Sequence, residues 1–253
     1  MAGAIARREI VVPKIPALAM ANRFSRYKPE TERAVRKVEV VEDKTLKKMK
    51  DAWKSCGYVY SDKYYPEMLE TVKKLEYSAK DVEKFSIALA EFRGERASAH
   101  EFGIVLGFVH KAGFFLSALM NNCKDSEFVV HTNHLAKPII YLGYRNTKNI
   151  IVNGNVGDYL GEYMEGGTIT VEGTAGDRVG CSMEGGTIIV KGNAGDEVGY
   201  AMEGGTITVK GNAGDDVGER MNGGEIHLNG GYNGRAGFKH GKIFHKGKLI
   251  ENM

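Results

Sequence analysis

The sequence is poor in the residues that mark several common classes of protein. It has three cysteines, Cys56, Cys123 and Cys181, far apart and odd in number. No C-x-x-C pair occurs that would suggest a zinc or iron–sulfur site, and a reduced, cytoplasmic setting is the simplest expectation. Charge of one sign is also lacking: 35 Lys and Arg face 32 Asp and Glu. Residues 1–127 carry 23 basic against 18 acidic side chains and residues 128–253 carry 12 against 14. Neither half is basic enough for a nucleic-acid surface. The N-terminus, MAGAIARREIVVPKIP, is charged within eight residues and lacks the apolar run of a signal peptide. The longest apolar stretch, FGIVLGFVHKAGFFLSALM (102–120), has His110 and Lys111 near its middle. A lysine at mid-bilayer costs about 2.5–3.5 kcal/mol, so a buried helix is predicted rather than a membrane span.

Glycine is the opposite case. The chain has 33, and 24 of them fall between Gly154 and Gly237. That concentration divides the chain into residues 1–127 and 128–253. Within the first part, residues 1–43 hold Pro13, Pro16 and Pro29 among mixed charges and read as an arm. Four helices follow. TLKKMKDAWK (45–54) spaces Leu46, Met49 and Trp53 on one face, and PEMLETVKKLEY (66–77) opens on a proline. Ser78 and Asp81 form a capping box before Val82, Phe85, Leu89 and Phe92, and the apolar helix of 96–120 comes last.

FVVHTNHLAKPIIYLGYRNTKNIIVNG (128–154) enters a β structure, and a repeat of period 19 then begins. Met164, Met183, Met202 and Met221 keep that spacing. So do the triplets Gly154/Gly157/Gly161, Gly173/Gly176/Gly180, Gly192/Gly195/Gly199 and Gly211/Gly214/Gly218. After Gly230 the spacing slips to Gly231, Gly234 and Gly237, and the tail HGKIFHKGKLIENM is expected to cover the last coil. A fixed period near 20 residues without the leucine-rich consensus predicts a right-handed, single-stranded parallel β-helix of about five coils. Five inward columns follow from the alternation: Val156/Ala175/Ala194/Ala213, Leu160/Val179/Val198/Val217, the four methionines, Ile169/Ile188/Ile207/Ile226 and Val171/Val190/Val209/Leu228. The repeat glycines are assigned to corners, where positive φ or close coil-to-coil approach excludes a side chain.

In these units the sequence resembles the G-x-x-G-x-x-x-G (GXGXG) β-helix family, found as the C-terminal domain of the glutamate synthase large subunit and in the formylmethanofuran dehydrogenase complex as its C-type polypeptide. GDRVGCSMEGGTIIVKGNAGDEVGYAMEGG is closer to the latter in its Gly-Asp, Met and Gly-Gly order. The resemblance covers residues 150–237. It implies a scaffold or interaction subunit of a redox or amidotransferase complex, with protein subunits as partners, no cofactor bound directly and no catalytic residue of its own. A homo-oligomer is left open.

Sharper chemistry competes with blander readings at several positions. No helix follows the glycines, which disfavours a dinucleotide loop. Asp158, Asp177, Asp196 and Asp215 stack in one column and raise the question of an ion; the preferred reading is that each accepts hydrogen bonds from its own turn. The column Thr168/Thr187/Thr206 reads as an ordinary exposed strand face rather than an ice-binding surface. His100-Glu101 lacks the second histidine of H-E-x-x-H, since position 104 is Ile. His131 and His134, three apart in an extended segment and expected on opposite faces, are the candidate residues for an alternative: a free-standing enzyme or small-molecule-binding protein with its site at the junction of helices and β-helix.

Overall fold

The structure is a computed structural model, and it describes residues 7–9, 39–57, 61–94, 101–233 and 240–250. Strand β1 (Arg7–Glu9) pairs antiparallel with β2 (Glu39–Val41), an element that the arm's sequence did not announce. The prolines of the arm, residues 234–239 and His100 lie outside the described residues.

The four expected helices are present as α1 (Lys44–Ser55), α2 (Tyr65–Val72), α3 (Ala79–Ala88) and α4 (Glu101–Asn122). Asp43 caps α1, its carboxylate accepting from the Leu46 amide at 2.8 Å. Leu46, Met49 and Trp53 point inward, and Trp53 packs among Phe85, Phe92, Phe108 and Phe115. Ser78 and Asp81 close the capping box of α3. Helix α2 is shorter than its periodicity suggested: it ends at Val72, and Leu75 closes a following turn onto the Val72 carbonyl. Among the described residues no helix is long and apolar enough to cross a membrane.

After α4 the chain winds into a parallel β-solenoid of about six turns. Its strands are β3 (Glu127–His131), β4 (Asn149–Asn153), β5 (Thr168–Val171), β6 (Thr187–Val190), β7 (Thr206–Val209), β8 (Glu225–Leu228) and β9 (Lys242–His245). The first turn therefore takes 22 residues, the next four 19 each and the last 17. One coil more is present than the glycine repeat predicts, because the first coil has a different sequence. There Asn146 occupies the place of the methionines and closes its own turn, accepting from the Lys148 amide and donating to the Lys148 carbonyl. The tail covers the last repeat coil by pairing onto β8, with Ile243 buried and Ile250 packed against the core. It adds β9, turns at Lys246 and Gly247, both with positive φ, and returns as antiparallel β10 (Lys248–Ile250).

All five predicted inward columns are buried, with no member above 8 % exposed. Strand pairing keeps like with like: Ile169 faces Ile188, which faces Ile207, which faces Ile226. Such ladders turn a thin cross-section into one continuous apolar core.

A solenoid has open ends, and here α4 closes the first. Gly113, Ser117 and Asn121, four residues apart, lie on the side of α4 that meets the first coil. A Cβ on Gly113 would land on the Ile140 carbonyl oxygen. Ser117 Oγ accepts from the Gly143 amide at 2.9 Å and from the Tyr144 amide at 3.2 Å. Asn121 Nδ2 donates to the carbonyls of Tyr144 and Arg145. The helix thus satisfies backbone groups that a neighbouring coil would otherwise pair. Lys111, in the same helix, is buried; its ammonium donates to the Cys56 carbonyl at 2.6 Å and lies 4.5 Å from the centre of the Trp53 ring.

Candidate functional site

The two junction histidines do not diverge as their spacing suggested. Both abut α3. His131 ends β3; its amide donates to Ser86 Oγ at 3.1 Å and its Nε2 lies 3.0 Å from a Glu83 carboxylate oxygen. His134 follows on a turn closed by the Leu135 amide and the Thr132 carbonyl, and burial lowers its pKa. The His134 side chain is half-buried against α3, and both its ring nitrogens are shielded from solvent without a hydrogen-bond partner among the described residues. Alternation sends residues three apart to opposite faces only inside a strand, and this strand stops at His131.

The aspartate column has a use different from the expected one. Asp158 Oδ1 accepts from the Asp177 amide at 3.0 Å, Asp177 from the Asp196 amide at 2.9 Å, and Asp196 from the Asp215 amide at 2.8 Å. Each carboxylate bonds the next coil, not its own turn. Three residues earlier, Asn155, Asn193 and Asn212 repeat the arrangement onto the amides of Thr174, Asn212 and Gly231. The bonds to N–H groups offset part of the repulsion between stacked carboxylates. Among the described residues no group of three or more His, Cys, Asp and Glu could hold a metal ion.

These side-chain ladders explain two glycine columns. A Cβ at Gly176, Gly195 or Gly214 would land on the carboxylate of Asp158, Asp177 or Asp196. One at Gly173, Gly192 or Gly211 would meet the backbone of the preceding coil. The first triplet departs from this pattern, and its assignment as one more copy of the repeat corner needs correction. Gly157 heads the column of Gly176, but Ile139 and Ile140 stand in the coil before it where later coils have glycine and aspartate. A Cβ at Gly157 would therefore lie 2.9 Å from the Ile140 side chain and 3.2 Å from the Ile139 carbonyl oxygen, with no carboxylate in its way. The Gly157 amide donates to that same carbonyl at 2.8 Å, so the glycine admits the first coil rather than an aspartate ladder. Gly154 likewise meets the Thr132 and Asn133 side chains, at a φ of 137° that its column mates do not share.

Positive φ is otherwise confined, within the triplets, to Gly161, Gly180, Gly199 and Gly218, between 67° and 72°. Two further left-handed columns carry ordinary side chains: Tyr159/Arg178/Glu197/Asp216 and Tyr163/Ser182/Ala201/Arg220. The left-handed backbone costs roughly 1 kcal/mol at each such residue. The ladder bonds of Tyr159, Arg178 and Glu197 to the next coil's aspartate carbonyls, 2.8–2.9 Å, offset it.

These corners project a polar and aromatic face beside the helical cap. Tyr141 stacks between Phe114 and Tyr159, at 4.6 and 4.8 Å. Arg178 bonds Glu197 and the Tyr159 hydroxyl and sits over the Tyr159 and Tyr200 rings. Within this face Glu162 is half-buried, and its pKa is pushed up to about 7, first by desolvation and then by the negative charge of Asp62, against the opposing pull of Arg178.

The strands present a second surface. Along the outward side of the sheet, Val129, Ile151, Thr170, Ile189, Thr208, His227, Phe244 and Leu249 are successive cross-strand partners. Ile151 and Leu249 are 47 % and 54 % exposed, and His227 stacks on Phe244 at 4.7 Å. The stripe crosses all eight strands, a length of roughly 35 Å at the usual strand spacing. Thr168, Thr187 and Thr206 run beside it as a half-buried column, and the flank bearing Glu172 and Lys191 is joined by an ion pair at 2.6 Å.

No family model matches the chain, and no curated protein matches it.

Proposed function

We propose that this chain is a non-catalytic scaffold or interaction subunit of a multi-subunit oxidoreductase of the glutamate synthase or formylmethanofuran dehydrogenase kind. The observation that carries the reading is the outward stripe from Val129 to Leu249, held in register by the solenoid and edged by polar columns. Val129, Ile151, Ile189, Phe244 and Leu249 are apolar and alternate with Thr170, Thr208 and His227, and apolar side chains grouped on one face favour protein contact. A rigid ladder of strands supplies it without the ordering penalty that a flexible segment incurs on binding. The resemblance of the glycine units adds the kind of assembly. The reading gives this chain no cofactor, leaving redox groups to its partners, and places it in the cytoplasm.

Affinity capture from the native source tests it. The expected result is co-purification with partner subunits that carry flavin, molybdenum or tungsten, seen by absorbance and elemental analysis. Recovery of the chain alone with a bound small molecule would overturn it and favour the junction enzyme.

A further inference from the structure

We propose that the outward sheet face is an interface with a second copy of this chain, the two faces packed about a two-fold axis that runs along β6. The inference rests on the reading of the stripe as a protein contact and names one partner for it. Two sheets pack face to face with their strands nearly aligned. The axis keeps the strand direction and reverses the order of the coils. Because β3 to β9 are seven parallel strands in sequence order, β6 is the middle one. Strand β3 then lies over β9 of the second copy, β4 over β8, β5 over β7 and β6 over β6.

Read in that register, the outward columns match their own reverse. The stripe sets Val129 against Phe244, Ile151 against His227, Thr170 against Thr208 and Ile189 against Ile189. Apolar side chains meet apolar ones or an imidazole, and hydroxyl meets hydroxyl. On one side of the stripe the column that begins at Glu127 ends at Lys242, so these two face each other across the axis. On the other side Glu172, Lys191 and Lys210 follow one another coil by coil. There Glu172 faces Lys210 of the second copy, and Lys191 lies on the axis.

The charges select both the occupant and the orientation. Glu127 and Lys210 are exposed and have no ion pair among the described residues. Within one copy Lys242 is held by Glu225 at 3.2 Å, and Glu172 by Lys191 at 2.6 Å. Across the axis Glu127 gains Lys242 and Lys210 gains Glu172, and an isologous interface repeats each contact. Lys191 meets its own copy with Glu172 beside it to compensate. The other two-fold arrangement, its axis along the solenoid, would set Glu172, Lys191 and Lys210 against threonines and leave Glu127 without a lysine. Complementary charges thus fix the register. Strand β10 lies outside the seven paired strands. The corner face of Arg178 and Tyr200 stays outside the contact, so the redox partners of the proposed assembly bind the dimer.

Two measurements on the purified full chain decide the matter. Sedimentation should give a dimer. Lys210→Glu, which sets carboxylates face to face, should raise the dimer Kd by about tenfold. The swap Glu172→Lys/Lys210→Glu should restore it, since Lys191 keeps one carboxylate neighbour in its column. A short bismaleimide should join Ile189→Cys to its copy and leave Ile151→Cys unjoined, because the two Ile151 positions lie four strand spacings, about 19 Å, apart along the solenoid. The double variant Ile151→Cys/His227→Cys should be joined, and the native cysteines are buried. A monomer, an unmoved Kd in Lys210→Glu, a swap that restores nothing, or cross-linking of Ile151→Cys alone would each sink the pairing. Any of these with redox subunits still captured removes the dimer and leaves the scaffold reading, whereas a dimer that captures none does the reverse.

Discussion

Glycines that look equivalent in the repeat serve distinct physical roles, and single substitutions separate them. Gly195 has the Asp177 carboxylate where its Cβ would be, whereas Gly166, in the same solenoid, has nothing within 4 Å. Gly195→Ala should therefore destabilise by about 3 kcal/mol, and Gly166→Ala should stay within about 0.5 kcal/mol, read from urea unfolding. The aspartates make a complementary case. Asp177→Asn retains an acceptor oxygen for the Asp196 amide and should be nearly neutral, while Asp177→Ala should lose about 1 kcal/mol. Equal losses for the two would mean that the carboxylate charge, and not the bond to the next coil, is what matters.

Among the elements, α4 is the one on which the rest depends, because it covers the end of the solenoid where the first coil has no preceding neighbour. Ser117 is the centre of that contact. Ser117→Ala leaves the Gly143 and Tyr144 amides without their acceptor and should cost about 1–3 kcal/mol, with the exchange of those two amides rising before that of strands β5 to β8. Uniform acceleration through all strands would instead indicate that the cap and the coils open as one unit. How legible such elements were in the sequence follows from the range of the interactions. The inward columns could be read because alternation is local, and the repeat fixed which residue stacks on which. The first coil could not, since Asn146, Ile139 and Ile140 stand where the later coils have methionine, glycine and aspartate. For the same reason Gly157 looked like any other repeat glycine, although its neighbour in space is Ile140. The left-handed corners at Tyr159, Arg178 and Glu197 were hidden because those residue types carry no backbone signature. His131 and His134 were visible as candidates, but their shared neighbour α3 was not. That is a contact between distant parts of the chain.

At the scale of the whole molecule, a capped ladder of strands holds a stripe of mixed apolar and polar side chains in fixed register on its outer face. The interior is filled by aliphatic side chains and methionines, and the polar ladders knit coil to coil. What the molecule offers outward is the stripe running from Val129 to Leu249. Carboxylates placed on that stripe should abolish partner binding while sparing the fold, because positions 151 and 189 face away from the core and their inward neighbours, Ile150 and Ile188, remain buried. The most direct test is to compare wild type with the double variant Ile151→Asp/Ile189→Asp in capture from the native source, with thermal melts alongside. The account predicts that the redox partner subunits co-elute with wild type and are lost from the variant, the two melts agreeing within a few degrees. Undiminished partner recovery by the variant would contradict it.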